Sequence, residues 1–238
     1  MSEFIAEPLS EDALLLRFGD SIDPATNARV HAAAAGLQAA ALPDVYDIAP
    51  AYASLLIRFH PLAWIDLRDP DEAPHARLLD AIESVLRGSE EDEVTETGSR
   101  TIEIPVCYGG EFGPDLDEAA RHAQLDARDF IARHAAADYS VAMLGFAPGF
   151  AYLLGLDPIL HVPRRATPRT RVPAGSVAIG GAQTGIYPRE LPGGWQIIGR
   201  TPSTLFDANR APPCLLAPSD RVHFRVIDER EFAARAKT

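Results

Sequence analysis

The sequence predicts an α+β chain of two domains, a ferredoxin-like unit over residues 1–98 and a small β-barrel or sandwich over residues 99–238. Three observations predict it. The 238 residues suit two domains of ~100 to 150 residues each. In the first hundred residues the apolar positions alternate between strand and helix periods. Residues 140–220 instead hold 10 of the 17 glycines and 11 of the 20 prolines, the turn-dense texture of many short strands.

Residues 13–18 read as a short buried strand. Asp23-Pro24 then opens a helix, an N-cap acceptor followed by proline at the first helical position, and Val30, Ala33, Ala34, Leu37 and Ala41 recur at helical spacing. Strands follow at 45–48 and 52–59, separated by Ala49-Pro50-Ala51. A second helix spans 74–87, with Leu78, Leu79, Ile82, Val85 and Leu86 on one face and Gly88 as its stop. The order β-α-β-β-α is that of a split βαβ, ferredoxin-like unit whose closing strand is still to be found. Residues 89–98 carry five acids and read as a solvated linker. The alternating stretch 101–106 either closes the first sheet or opens the second domain. Two short capped helices are expected at 115–125 and 126–134, and strands at 139–144, 176–179, 195–199, 215–217 and 222–226.

Hydrophobic residues make up 47% and charged residues 24%, enough apolar content for a packed core. The start of the chain has no basic segment before an apolar run, with Glu3 and Glu7 in the way, and no apolar stretch approaches the ~20 residues of a spanning helix. No secretory leader and no membrane partner are expected, and the cytoplasm is the expected location. Cys107 and Cys214 stand outside any CxxC pair and read as buried thiols. The net charge of −12 argues against a nucleic-acid partner, whose phosphates are held by clustered cations. Charge is distributed unevenly: residues 1–98 carry net −13, whereas residues 161–225 hold nine arginines against three acids.

Several chemistries are excluded by motif. Gly175 and Gly180 have phosphate-loop spacing, but Gly181-Ala182 stands where Lys-Ser/Thr is required. No G-x-G-x-x-G follows a strand, and Ser176 lacks the glycines of a nucleophile elbow. No metal site is expected. His122 and Asp126, four apart on a helix, could share a metal but read rather as a solvent-facing pair. Chemistry must then come from loops assembled in space, and three stand out. In the first, Phe146, Pro148, Phe150 and Tyr152 lie on a stiff aromatic segment, either a hydrophobic plug or a binding wall. In the second, residues 163–173 carry Arg164, Arg165, Arg169 and Arg171 between prolines. Extended alternation puts Arg169 and Arg171 on one side, suited to bidentate capture of a carboxylate or phosphate. In the third, glycines of 180–202 allow close backbone approach, with Gln183, Thr184, Tyr187 and Arg200 as polar handles.

Taken together, IPVCYGGEFGPDL at 104–116, GFAPGFAYL at 145–153, PRTRVPAGSV at 168–177, QTGIYP at 183–188 and PGGWQIIGRTP at 192–202 resemble the B-subunit family of the prokaryotic ATP-dependent 5-oxoprolinase. That family is also called allophanate hydrolase subunit 1, and it includes an inhibitor of a sporulation histidine kinase. The resemblance covers essentially the whole chain. It implies an N-terminal ferredoxin-like domain and a C-terminal cyclophilin-like β-barrel. It also implies a shared reaction, in which this chain and the C subunit of 5-oxoprolinase use ATP, with magnesium, to phosphorylate the lactam of 5-oxo-L-proline, and the A subunit takes part in hydrolysis to L-glutamate. The chain alone is then expected to be inactive and to bind no cofactor tightly. Phe146, Pro148, Phe150 and Tyr152 are the expected contact with a partner subunit. The alternative function is a regulatory module that inhibits a sensor histidine kinase.

Overall fold

The computed structural model describes residues 4–66, 73–89 and 100–236. The chain divides into two compact units, Met1–Gly98 and Ser99–Thr238.

The first unit contains β1 (Ile5–Ser10), β2 (Ala13–Arg17), α1 (Pro24–Ala40), β3 (Val45–Pro50), β4 (Ser54–Phe59) and α2 (Pro74–Ser89). Its sheet is antiparallel in the order β1-β2-β4-β3. The closing strand that the β-α-β-β-α order lacks is therefore β1, at the N-terminal end, and not residues 101–106. Sequence hides this strand because it lies on the sheet edge, carries Pro8, which cannot donate to a ladder, and is largely exposed. Leu14, Leu16, Leu55, Ile57 and Phe59 bury one face of the sheet against Val30 and Leu37 of α1 and Leu78 and Ile82 of α2. Each such side chain contributes roughly 1.5–3 kcal/mol.

Local signals set the helix ends. The Asp23 carboxylate accepts the Thr26 N–H at 2.9 Å, and Pro24 occupies the first turn. Ala41 lies beyond α1 rather than on its apolar face, as a left-handed cap with φ 46°. Helix α2 runs through Gly88 instead of stopping there, since that glycine does not take the left-handed conformation a stop requires. Residues 90–98 of the acidic run lie outside the described residues.

The second unit contains β5 (Thr101–Tyr108), α3 (Leu116–His122), α4 (Ala127–Ala136), β6 (Tyr139–Leu144), β7 (Ala151–Leu154), β8 (Arg169–Val172), β9 (Ser176–Gly180), β10 (Gln183–Ile186), β11 (Leu191–Gly193), β12 (Gln196–Arg200), β13 (Arg221–Val226) and α5 (Glu229–Arg235). Seven strands close a barrel in the order β10-β7-β6-β13-β5-β12-β9, while β8 and β11 form a separate ribbon. Residues 101–106 thus open this barrel, with β5 paired in parallel to β13 and antiparallel to β12. Closure leaves no edge strand in the barrel itself. Ile104, Val106, Val141, Leu153, Ile179 and Ile198 fill the interior. Residues 215–217 form no strand, because the Asp220 carboxylate accepts the Ala217 N–H at 2.7 Å and closes a turn there. Cys107 is buried, whereas Cys214 is only half-buried. Among the described residues no helix is long and apolar enough to cross a membrane.

Candidate functional site

Asp115 organises the outer face of the barrel. It stands at the N-cap position of α3 yet makes no cap hydrogen bond. Its carboxylate instead accepts Arg169 Nη1 at 2.8 Å and Nη2 at 2.7 Å, Arg165 Nη1 at 3.1 Å and the Ile197 N–H at 2.7 Å. One carboxylate, 4% exposed, thereby joins the start of α3, the arginine-rich segment and β12. The Arg169 contact is the two-pronged pairing that a planar guanidinium makes with a carboxylate.

An aromatic wall stands beside this cluster. Phe150 packs edge-on against Tyr187 at 5.1 Å and Trp195 at 5.8 Å, and Tyr152 lies 4.8 Å from Phe150 and 5.9 Å from Trp195. Trp195 can lie flat on β9 because residue 180 is glycine, where a Cβ would sit 2.5 Å from the indole. The Arg164 guanidinium covers the indole at 5.8 Å and donates to Gln183 Oε1 at 3.1 Å. Gln196 donates to the Pro163 carbonyl at 3.1 Å, while its Oε1 and the Arg165 Nε are buried without a partner. Burial pushes the Tyr187 phenol up to about 12, with Arg164 and Arg169 pulling in the opposite direction. Tyr187 is therefore a neutral hydrogen-bonding group at pH 7.

The residues singled out by sequence do not all meet here. Arg169 and Arg171 do not converge on one acceptor: Arg169 is held by Asp115, and Arg171 is mostly exposed and lies 3.5 Å from Glu190. Gln183 and Tyr187 belong to the site. Thr184 is fully buried and donates to the Ala178 carbonyl at 3.1 Å; its hydroxyl lies 3.3 Å from His134 Nε2, and His134 Nδ1 lies 2.8 Å from the Tyr108 hydroxyl. Arg200 stacks on Phe112 at 5.7 Å. Phe150 is buried core and Tyr152 half-buried, so the aromatic loop is in part a plug, whereas Phe146 is 60% exposed and Pro148 is exposed beside it.

Sequence reasoning missed Asp115 and Trp195, and it singled out Arg164 and Arg165 on the arginine-rich segment without giving them a role in the site. Asp115 carried the signal of a helix cap, which concealed its other role. His122 and Asp126 do not share a helix: His122 ends α3, and Asp126 caps α4 through the Asp129 N–H at 2.7 Å. Among the described residues no three His, Cys, Asp or Glu side chains gather as a metal site.

Comparison with known proteins places the chain in a family. Residues 4–216 match the family model of the carboxyltransferase domain, subdomain C and D. The chain is 42% identical over 233 residues to the B subunit of 5-oxoprolinase from Bacillus subtilis, covering 96% of this chain and 95% of that one. It is 54% identical over 151 residues to the B subunit of 5-oxoprolinase from Escherichia coli O157:H7, covering 63% and 69% of the two chains. The crystal structure of TTHA0988 superposes with a TM-score of 0.76 at 36% identity over 91% of this chain, which spans 40% of that longer one. With the family model matched along most of the chain and the Bacillus relative aligned nearly end to end, the chain belongs to the family of 5-oxoprolinase B subunits, within the carboxyltransferase subdomain C and D group.

Proposed function

We propose that the chain is one subunit of an ATP-dependent 5-oxoprolinase that works in the cytoplasm and converts 5-oxo-L-proline to L-glutamate. The observation that carries this reading is the 42% identity, along 96% of the chain, to a protein named as the B subunit of 5-oxoprolinase. The chemistry needs activation, because lactam resonance makes the carbonyl carbon a poor electrophile. The lactam oxygen attacks the γ-phosphorus of ATP, a new O–P bond forms, and the bond to the bridging oxygen breaks as ADP leaves. Water then adds at the activated carbon and the ring C–N bond breaks, the nitrogen taking a proton to become the amine and an acyl phosphate remaining at the former lactam carbon; a second water hydrolyses that acyl phosphate, giving the side-chain carboxylate of glutamate and inorganic phosphate. Fixed cationic donors stabilise the charge that grows during transfer.

The cluster of Arg164, Arg165 and Arg169 is the source of positive charge in this reading, with Gln183 and Tyr187 as neutral donors beside it. The C subunit completes the nucleotide site, magnesium enters with the ATP phosphates, and the A subunit takes part in the hydrolytic half. The exposed Phe146 and Pro148 face a partner subunit. The test is reconstitution: the purified chain should show no 5-oxoproline-dependent ATP hydrolysis, and addition of the A and C subunits should produce it. Turnover by the chain alone, or none by the three together, would overturn the reading.

A further inference from the structure

We propose that Arg164 receives the carboxylate of the substrate, so that the face formed by Arg164, Gln183 and Trp195 selects small lactams bearing an acid group; the inference rests on the 5-oxoprolinase reading.

The charge inventory comes first. Arg164, Arg165 and Arg169 bring three guanidiniums to one face, and Asp115 is the single carboxylate that pairs with any of them among the described residues. The excess positive charge lies on the exposed Arg164, beside the buried Trp195 ring.

The three arginines are not equivalent. Arg165 and Arg169 spend terminal N–H groups on Asp115 and are fixed. Arg164 is exposed, and among the described residues its side chain has one hydrogen-bond partner, the neutral amide of Gln183 at 3.1 Å. A guanidinium has five N–H donors, so most of its fork stays open to a ligand, and a carboxylate is a stronger acceptor than an amide oxygen.

Its orientation is set in advance. The guanidinium carbon lies over the Trp195 ring at 5.8 Å, a cation–π contact, and Gly180 is what allows the indole to lie where it does. A guanidinium fork so placed matches the two oxygens of a carboxylate. Lysine would keep the charge at residue 164 but lose both the fork and the stacking.

The test reads Trp195 directly. The chain has two tryptophans, so Trp64→Phe leaves Trp195 as the sole indole reporter. Titration of this variant with 5-oxoproline should change its fluorescence saturably, and 2-pyrrolidinone, the same ring without the acid, should not. Arg164→Gln should weaken the 5-oxoproline response at least about tenfold, with Arg164→Lys in between and circular dichroism unchanged. In the complex with the A and C subunits, Arg164→Gln should raise KM for 5-oxoproline about tenfold or more while KM for ATP holds. Equal responses to the two lactams, an unaltered KM in Arg164→Gln, or a response to ATP in place of 5-oxoproline would overturn the proposal, the last by making this a phosphate site. If the wild-type complex has no 5-oxoproline-dependent turnover, the functional reading fails, and the fluorescence titration still decides the role of Arg164.

Discussion

Replacing Asp115 with alanine tests the site's architecture without touching its exposed face. The carboxylate accepts four hydrogen bonds, three from guanidiniums and one from the Ile197 N–H. Its removal leaves Arg165 and Arg169 facing each other with side chains 31% and 24% exposed. Breaking a buried ion pair by deleting one partner costs about 3–5 kcal/mol. Water reaches part of both guanidiniums, which favours the lower end, about 3 kcal/mol. For a unit of this size that loss should lower the midpoint of thermal unfolding by about 10 °C. Scanning calorimetry is the assay. Asp115→Asn should fall between wild type and alanine, because it keeps an acceptor for Ile197 but not the charge. In a double-mutant cycle with Arg169→Met the two losses should fall short of additivity by at least about 1 kcal/mol. A midpoint for Asp115→Ala within about 2 °C of wild type would refute the reasoning.

Other expectations follow from the buried groups of the barrel. Burial holds the pKa of His134 down to about 3 against 6.5 for the free side chain. As pH falls below 6.5 the unfolded chain takes up a proton that the folded one refuses. Stability should therefore drop by up to about 1.4 kcal/mol per pH unit on acidification from this group alone. Urea unfolding between pH 7 and 5 should show a smaller slope in His134→Gln than in wild type; equal slopes would mean that His134 charges inside the fold. Phe150→Ala should cost about 3–5 kcal/mol as a core truncation. Phe146→Ala should change stability by less than about 0.5 kcal/mol yet weaken association with the C subunit, measured by surface plasmon resonance. Unchanged binding would remove Phe146 from the interface.

Short-range physics was legible in the sequence. Asp23-Pro24 announced α1 because a side-chain acceptor and a fixed φ act within one turn, and both are in place in the structure. The apolar faces at 30–37 and 78–82, the short helices of the second domain and most barrel strands were likewise readable from periodicity of two or 3.6 residues. The long motifs of residues 101–226 carried the family, since glycines and prolines in close-packed loops leave little freedom to vary.

Tertiary structure decided the rest, through pairings between residues far apart in sequence. β1 became the closing strand of the first sheet by pairing with β2, and residues 101–108 joined the barrel through β13, more than a hundred residues away. Arg169 and Arg171 differ in role although they are two apart on one strand, because Asp115, 54 residues before Arg169, reaches only the first. The same exclusion separates Arg164 from its neighbours: among the described residues Arg165 and Arg169 have a carboxylate within reach and Arg164 does not. Alternation can say which side chains share a face, but which of them keeps an unspent charge depends on what the closed barrel brings opposite.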